Sequence, residues 1–92
     1  MSLVRLHERY RFERFEGVYF YMTAGATNIL CQVSHEALRD RSARDGDAAS
    51  LPDTFVRHRL RIETIAGEKY ARGHRPNDLI LVLSADLTPL PI

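Results

Sequence analysis

Tryptophan is missing from this chain, and cysteine and lysine each occur once, as Cys31 and Lys69. A single cysteine excludes an internal disulfide and any zinc site built on several thiolates. No apolar run approaches the roughly 20 residues that a membrane-spanning helix needs. The start, MSLVRLHERYRF, has no continuous apolar stretch of the kind a secretory signal requires. A cytoplasmic protein with no membrane partner is therefore the expectation. Acidic and basic residues nearly cancel, leaving a net charge of +1, so no whole-molecule field draws the chain to nucleic acid or an anionic membrane. Glycine-rich phosphate loops, a nucleophile elbow and the glycine–aromatic signature of RNA-binding sheets are absent too.

What remains is 92 residues with 45% hydrophobic content. That is enough for one small folded domain, with little room for a deep cleft beside its core. Residues 1–92 read as a single domain, with an ordered core over about 9–87 and an extended tail, 88–92, that carries two prolines. Twelve of the thirteen basic residues are arginine. Arginine forks suit phosphate and carboxylate, but these are scattered along the chain, as solvated surface charge usually is.

Residues 9 to 34 read as three strands. Apolar and polar residues alternate in Tyr10-Arg11-Phe12-Glu13, and Gly17 follows as a turn signal. Gly17 to Thr23 is rich in aromatic and β-branched residues, with Val18, Phe20 and Met22 on one face and Tyr19, Tyr21 and Thr23 on the other. Ala24-Gly25-Ala26 makes a hairpin loop. The next strand, Asn28 to Val33, sets Ile29, Cys31 and Val33 against Leu30 and Gln32.

At Ser34 the apolar period changes from two to about 3.6. Serine is a favoured N-cap, so SHEALRDR predicts a short helix and residues 42–50 a linker loop. Ser50 caps a second helix, with proline and Asp53 in its first turn, running to about Arg72 with Gly73 as its stop. HRPND is a turn. Leu79 to Leu83 is a strand apolar on both faces, which predicts a central place in the sheet. The order β-β-β-α-α-β implies a two-layer α+β fold: an antiparallel meander of three strands, two helices on one face, then a further strand.

VxFxM (Val18, Phe20, Met22), CQVSHEAL (Cys31 to Leu38), FxxxRxxIxxxAxxKY (Phe55 to Tyr70) and VLSADL (Val82 to Leu87) follow one another in order. In these the chain resembles a bacterial domain-of-unknown-function family, number fourteen eighty-eight, over roughly residues 10 to 87. The resemblance implies the same small two-layer fold and implies no activity, substrate or partner.

On the second helix Phe55, Ile62, Ala66 and Gly73 fall on one line, flanked by His58 and Ile65, and form the buried face. Arg57, Arg61 and Arg72 fall together beside it. They could form a phosphate-contacting stripe, but Asp53 and Glu68, each four residues before an arginine, would neutralise it. Arg59 lies on the opposite shoulder, where a structural role is expected: its stem over the core and its fork on a carboxylate or on C-terminal carbonyls. Lys69 falls near the centre of the buried line and must snorkel out or find an acid. Val56 and Leu60 lie opposite Ile62 and are candidates for self-association, as in a homodimer.

Tyr19 and Tyr21, beside Arg9 and Arg11, could stack single-stranded bases; cross-strand stabilisation of an exposed sheet face is the plainer reading. His35-Glu36 opens like a zinc-protease motif, but Arg39 stands where the second histidine belongs. Cys31 alternates with apolar residues, and burial makes a poor nucleophile. No residue is assigned to catalysis, a cofactor or a metal. The sequence thus predicts a non-enzymatic accessory or regulatory protein that works through contacts with an unidentified protein partner, with weak nucleic-acid binding as the alternative.

Overall fold

The structure is a computed structural model that describes residues 3–46, 50–73 and 79–87. Three strands come first: β1 (Val4–Glu13), β2 (Gly17–Ala24) and β3 (Thr27–Ser34). Helices α1 (His35–Asp45) and α2 (Leu51–Ala71) follow, then strand β4 (Leu79–Val82) and a short helix α3 (Ser84–Leu87). The strands form one sheet in the order β1-β2-β3-β4, antiparallel within the meander and parallel between β3 and β4. The helices cover one face. This is the α+β arrangement that the change of period implies.

Local chemistry explains most boundaries. Ala24 faces Thr27 across the β2–β3 hairpin, leaving Gly25 and Ala26 as its turn, with Gly25 at φ 62°. The Ser34 hydroxyl accepts from the Ala37 amide, and the Ser50 hydroxyl from the Asp53 amide. Both serines therefore satisfy a first-turn donor that the helix itself cannot. At the far end of α2 the Gly73 amide donates to the Tyr70 carbonyl.

The core is the inner sheet face against the helices. Val18, Phe20, Met22, Ile29, Cys31 and Val33 meet Leu38, Phe55, Ile62 and Ala66, with Ile80, Val82 and Leu87 closing one end. The Phe20 and Phe55 rings lie 5.4 Å apart. Burying each large apolar side chain contributes about 1.5–3 kcal/mol.

Three expectations need correction. β4 is an edge strand, not a central one. Its inner face, Ile80 and Val82, is fully buried, while Leu79 and Leu81 are only half-buried, so an apolar run on both faces does not require neighbours on both sides. The α1 helix continues through residues 42–45 instead of yielding to a loop, and ends at Gly46 with φ 76°. Its last turn is held by an Arg41–Asp45 pair at 3.3 Å. β1 begins at Val4, well before Tyr10. Its pairing shifts between Arg5, opposite Met22, and Tyr10, opposite Phe20, and this bulge breaks the period-two alternation that marks a strand. Beyond these, α3 follows β4 at residues to which the sequence pattern assigns no element. Its first turn is closed reciprocally, the Leu83 amide donating to the Asp86 carboxylate and the Asp86 amide to the Leu83 carbonyl. The HRPND turn and the 88–92 tail lie outside the described residues.

Gly17 starts β2 at φ 112°, and a Cβ there would stand 2.0 Å from the Val33 carbonyl oxygen. The nearest atoms are all backbone, of Val33 to His35, and cannot give way. Gly17→Ala is expected to cost about 3 kcal/mol or more, measured as a lower urea midpoint at unchanged slope.

Candidate functional site

The densest polar cluster joins α2 to β1. Arg59 is 5% exposed and Glu63, one turn on, 8%. Arg59 Nε donates to the Glu63 carboxylate at 3.1 Å, and its two terminal nitrogens donate to the carbonyls of Glu8 and His7 at 2.7 and 2.9 Å. Those carbonyls belong to the bulge, where β1 falls out of register with β2. Arg5 closes the group with a two-point contact to Glu63, at 2.6 and 2.9 Å, and a further bond to Glu8. Hydrogen bonding to Glu63 and Glu8 raises the pKa of Arg5 above its ordinary value. The Arg59 guanidinium also lies 5.3 Å from the Phe55 ring centre and 5.9 Å from that of Tyr10. The expected structural role of Arg59 takes this form, with the carbonyls supplied by β1 rather than by a helix terminus. Glu63 was not singled out from sequence, although its spacing of four from Arg59 was a usable signal; Arg5 offered none.

Lys69 finds its acid. The ammonium meets Asp86 at 2.7 Å and donates to the Leu81 carbonyl at 2.9 Å, tying α2 to β4 and α3. Burial pushes the Asp86 carboxyl up, but Lys69 and the Leu83 amide outweigh it and leave its pKa lowered. At the other end of α2, Asp45 gathers His58 at 2.8 Å with Arg57 and Arg41 at 3.3 Å each. Arg57 is thereby drawn towards α1, away from Arg61 and Arg72, which are exposed further along the helix. The three do not converge on one point.

Tyr19 and Tyr21 do come together with arginine. Arg11 stands opposite Tyr19 on β1, its guanidinium 5.1 Å from the ring centre. The Tyr19 hydroxyl donates to Glu16, and this hydrogen bond, with burial, raises the phenol pKa. His7 lies edge-on to Tyr21 at 6.3 Å. These residues line a concavity of about 420 Å³ on the sheet face opposite the helices, together with Arg9 and Leu30.

Val56 and Leu60 are 54% and 76% exposed. On the same side of the sheet, Tyr10 and Phe12 pair across from Phe20 and Val18 and stay partly uncovered at the β1 edge. Cys31 is fully buried, and burial pushes its thiol up to about 12. Among the described residues no three metal-ligating side chains gather, and no described helix is long and apolar enough to cross a membrane.

Residues 7–83 match the family model described as Protein of unknown function (DUF1488). The chain belongs to DUF1488. No curated protein and no solved structure matches it. The DUF1488 match spans Arg59, Glu63, both tyrosines, Val56 and Leu60, but not Arg5 or Asp86, so the partners that complete two of the polar contacts stand outside the matched segment.

Two outcomes follow from this geometry. Arg59→Met leaves the His7 and Glu8 carbonyls without their donor and is expected to cost about 3 kcal/mol, read from urea unfolding; hydrogen exchange should rise first at residues 6–9. Asp45 is held below the usual carboxylate range, by His58 before Arg41 and Arg57. Its contribution is therefore present above the unfolded-state pKa and lost as pH falls through the lower folded value. Asp45→Asn should be less stable than the wild type at neutral pH, with the gap closing as the solution is acidified.

Proposed function

We propose that this DUF1488 protein is a non-enzymatic accessory or regulatory protein that docks another protein chain on the flank formed by α2 and β1. The carrying observation is the exposure of Val56 and Leu60, one turn apart, beside the buried Arg59–Glu63 pair. Tyr10 and Phe12 extend the apolar surface onto β1. Docking of this kind relies on a few apolar and aromatic anchors on a surface that does not rearrange. The Arg59 contacts to the bulge carbonyls supply that rigidity here.

Side chains rather than main chain carry the contact. The bulge interrupts the outer edge of β1, and a broken edge is a poor template for strand addition. A second copy of the chain is the first partner to consider, since a surface repeated about a two-fold axis buries its anchors twice. The setting in this reading is the bacterial cytoplasm, in keeping with one buried, free thiol. A non-catalytic role is favoured because the strongest polar clusters bind secondary structure together. The stripe of Arg57, Arg61 and Arg72 is the weaker alternative, because Arg57 is engaged by Asp45.

Sedimentation velocity over a wide concentration range tests the self-associating form. A dimer is expected, and Leu60→Glu should shift it to monomer without loss of stability. A wild type that stays monomeric at high concentration removes the homodimer. If the wild-type amide resonances around Val56 and Leu60 are the same in native cell extract as in buffer, the flank carries no docking at all.

A further inference from the structure

The concavity opens on the sheet face away from α2, and of its lining only Tyr10 also belongs to the docking flank. It gathers basic and aromatic groups on one open face. Arg9 is exposed and has no ion-pair partner among the described residues. His7 Nδ1 is a buried atom with no hydrogen-bond partner. Tyr21 is 42% exposed and presents an aromatic surface beside Leu30, its partner on β3. Arg11 is held near the same place by Glu13, at 3.0 Å, and by the Tyr19 ring.

We propose that this concavity binds an aromatic base carrying a phosphate group, either as a free nucleotide or as one residue of a single strand. The base stacks on Tyr21, since every base has a π-face and stacking tolerates any of them. Arg9 takes the phosphate, for which a guanidinium fork is matched in shape and charge. His7, edge-on to Tyr21, walls the stacking position on one side. A volume of about 420 Å³ lies at the lower end of the range of small-ligand sites, suited to one nucleotide and too small for a folded domain. Glu13 and Glu16 lie towards the Tyr19 end, engaged with Arg11 and the Tyr19 hydroxyl. The phosphate therefore belongs at the Arg9 end, away from both carboxylates.

The test uses the full chain with two probes at low salt, adenosine monophosphate and a short oligothymidylate, followed by amide and side-chain shifts in NMR titrations. Shifts are expected at residues 7–11, 19–21 and 30. Tyr21→Ala and Arg9→Glu should each weaken binding about tenfold, and both positions are exposed enough for the variants to keep the native spectrum. Equal affinity for both probes identifies a free nucleotide as the ligand; tighter binding of the oligonucleotide, falling with salt, identifies a strand. Absence of shifts at these residues with both probes, or unchanged affinity in Tyr21→Ala, overturns the proposal.

Discussion

The Arg59 guanidinium is the fixed point of this structure. Strand β1 is an edge strand whose pairing with β2 fails between Arg5 and Tyr10, and carbonyls released from a ladder are costly if left unmet. Arg59 meets two of them from α2, while Glu63 balances its charge and Arg5 returns that balance to the start of β1. The bulge, the helix and the strand terminus thus depend on one another. Such a network contributes less through its net attraction, since burying charge carries a desolvation cost, than through the penalty for breaking it. It fixes where β1 lies rather than how strongly the chain folds.

Where chemistry is local, the sequence was sufficient. Ser34 and Ser50 cap their helices as serine should, Gly25 turns the hairpin, and the apolar lines through Val18–Met22, Ile29–Val33 and Phe55–Ala66 are the core. The start of β1 and the place of β4 involve partners distant in sequence. A bulge destroys the alternation by which a strand is recognised, so the first half of β1 was invisible. The end of α1 was mistaken for a loop because Ser42 to Asp45 are small or polar, yet the helix persists there while Asp45 holds residues of α2. The place of β4 in the sheet depends on which strand it joins, and its own residues do not encode that.

The same distinction governs the candidate sites. Arg59 could be recognised as structural from its shoulder position, but its acceptors lie more than fifty residues away. For Lys69 the helical wheel leaves two outcomes, snorkelling out or an acid, and the acid is on a helix too short to foresee. The arginine stripe, conversely, was visible on a helical wheel and dispersed in three dimensions, because Asp45 draws Arg57 aside.

Strand β1 belongs to both exposed surfaces. Tyr10 and Phe12 lie on the helix side, opposite Phe20 and Val18, while Arg11 lies on the open side opposite Tyr19. His7 reaches the open side from within the bulge, next to Tyr21, and its carbonyl is held by Arg59 from the other side. The segment from Leu6 to Arg9 therefore carries groups on both faces of the sheet: the His7 ring on the open side, and on the helix side the two carbonyls that Arg59 meets. A helix side chain that satisfies those carbonyls thereby also sets where the open face of β1 lies.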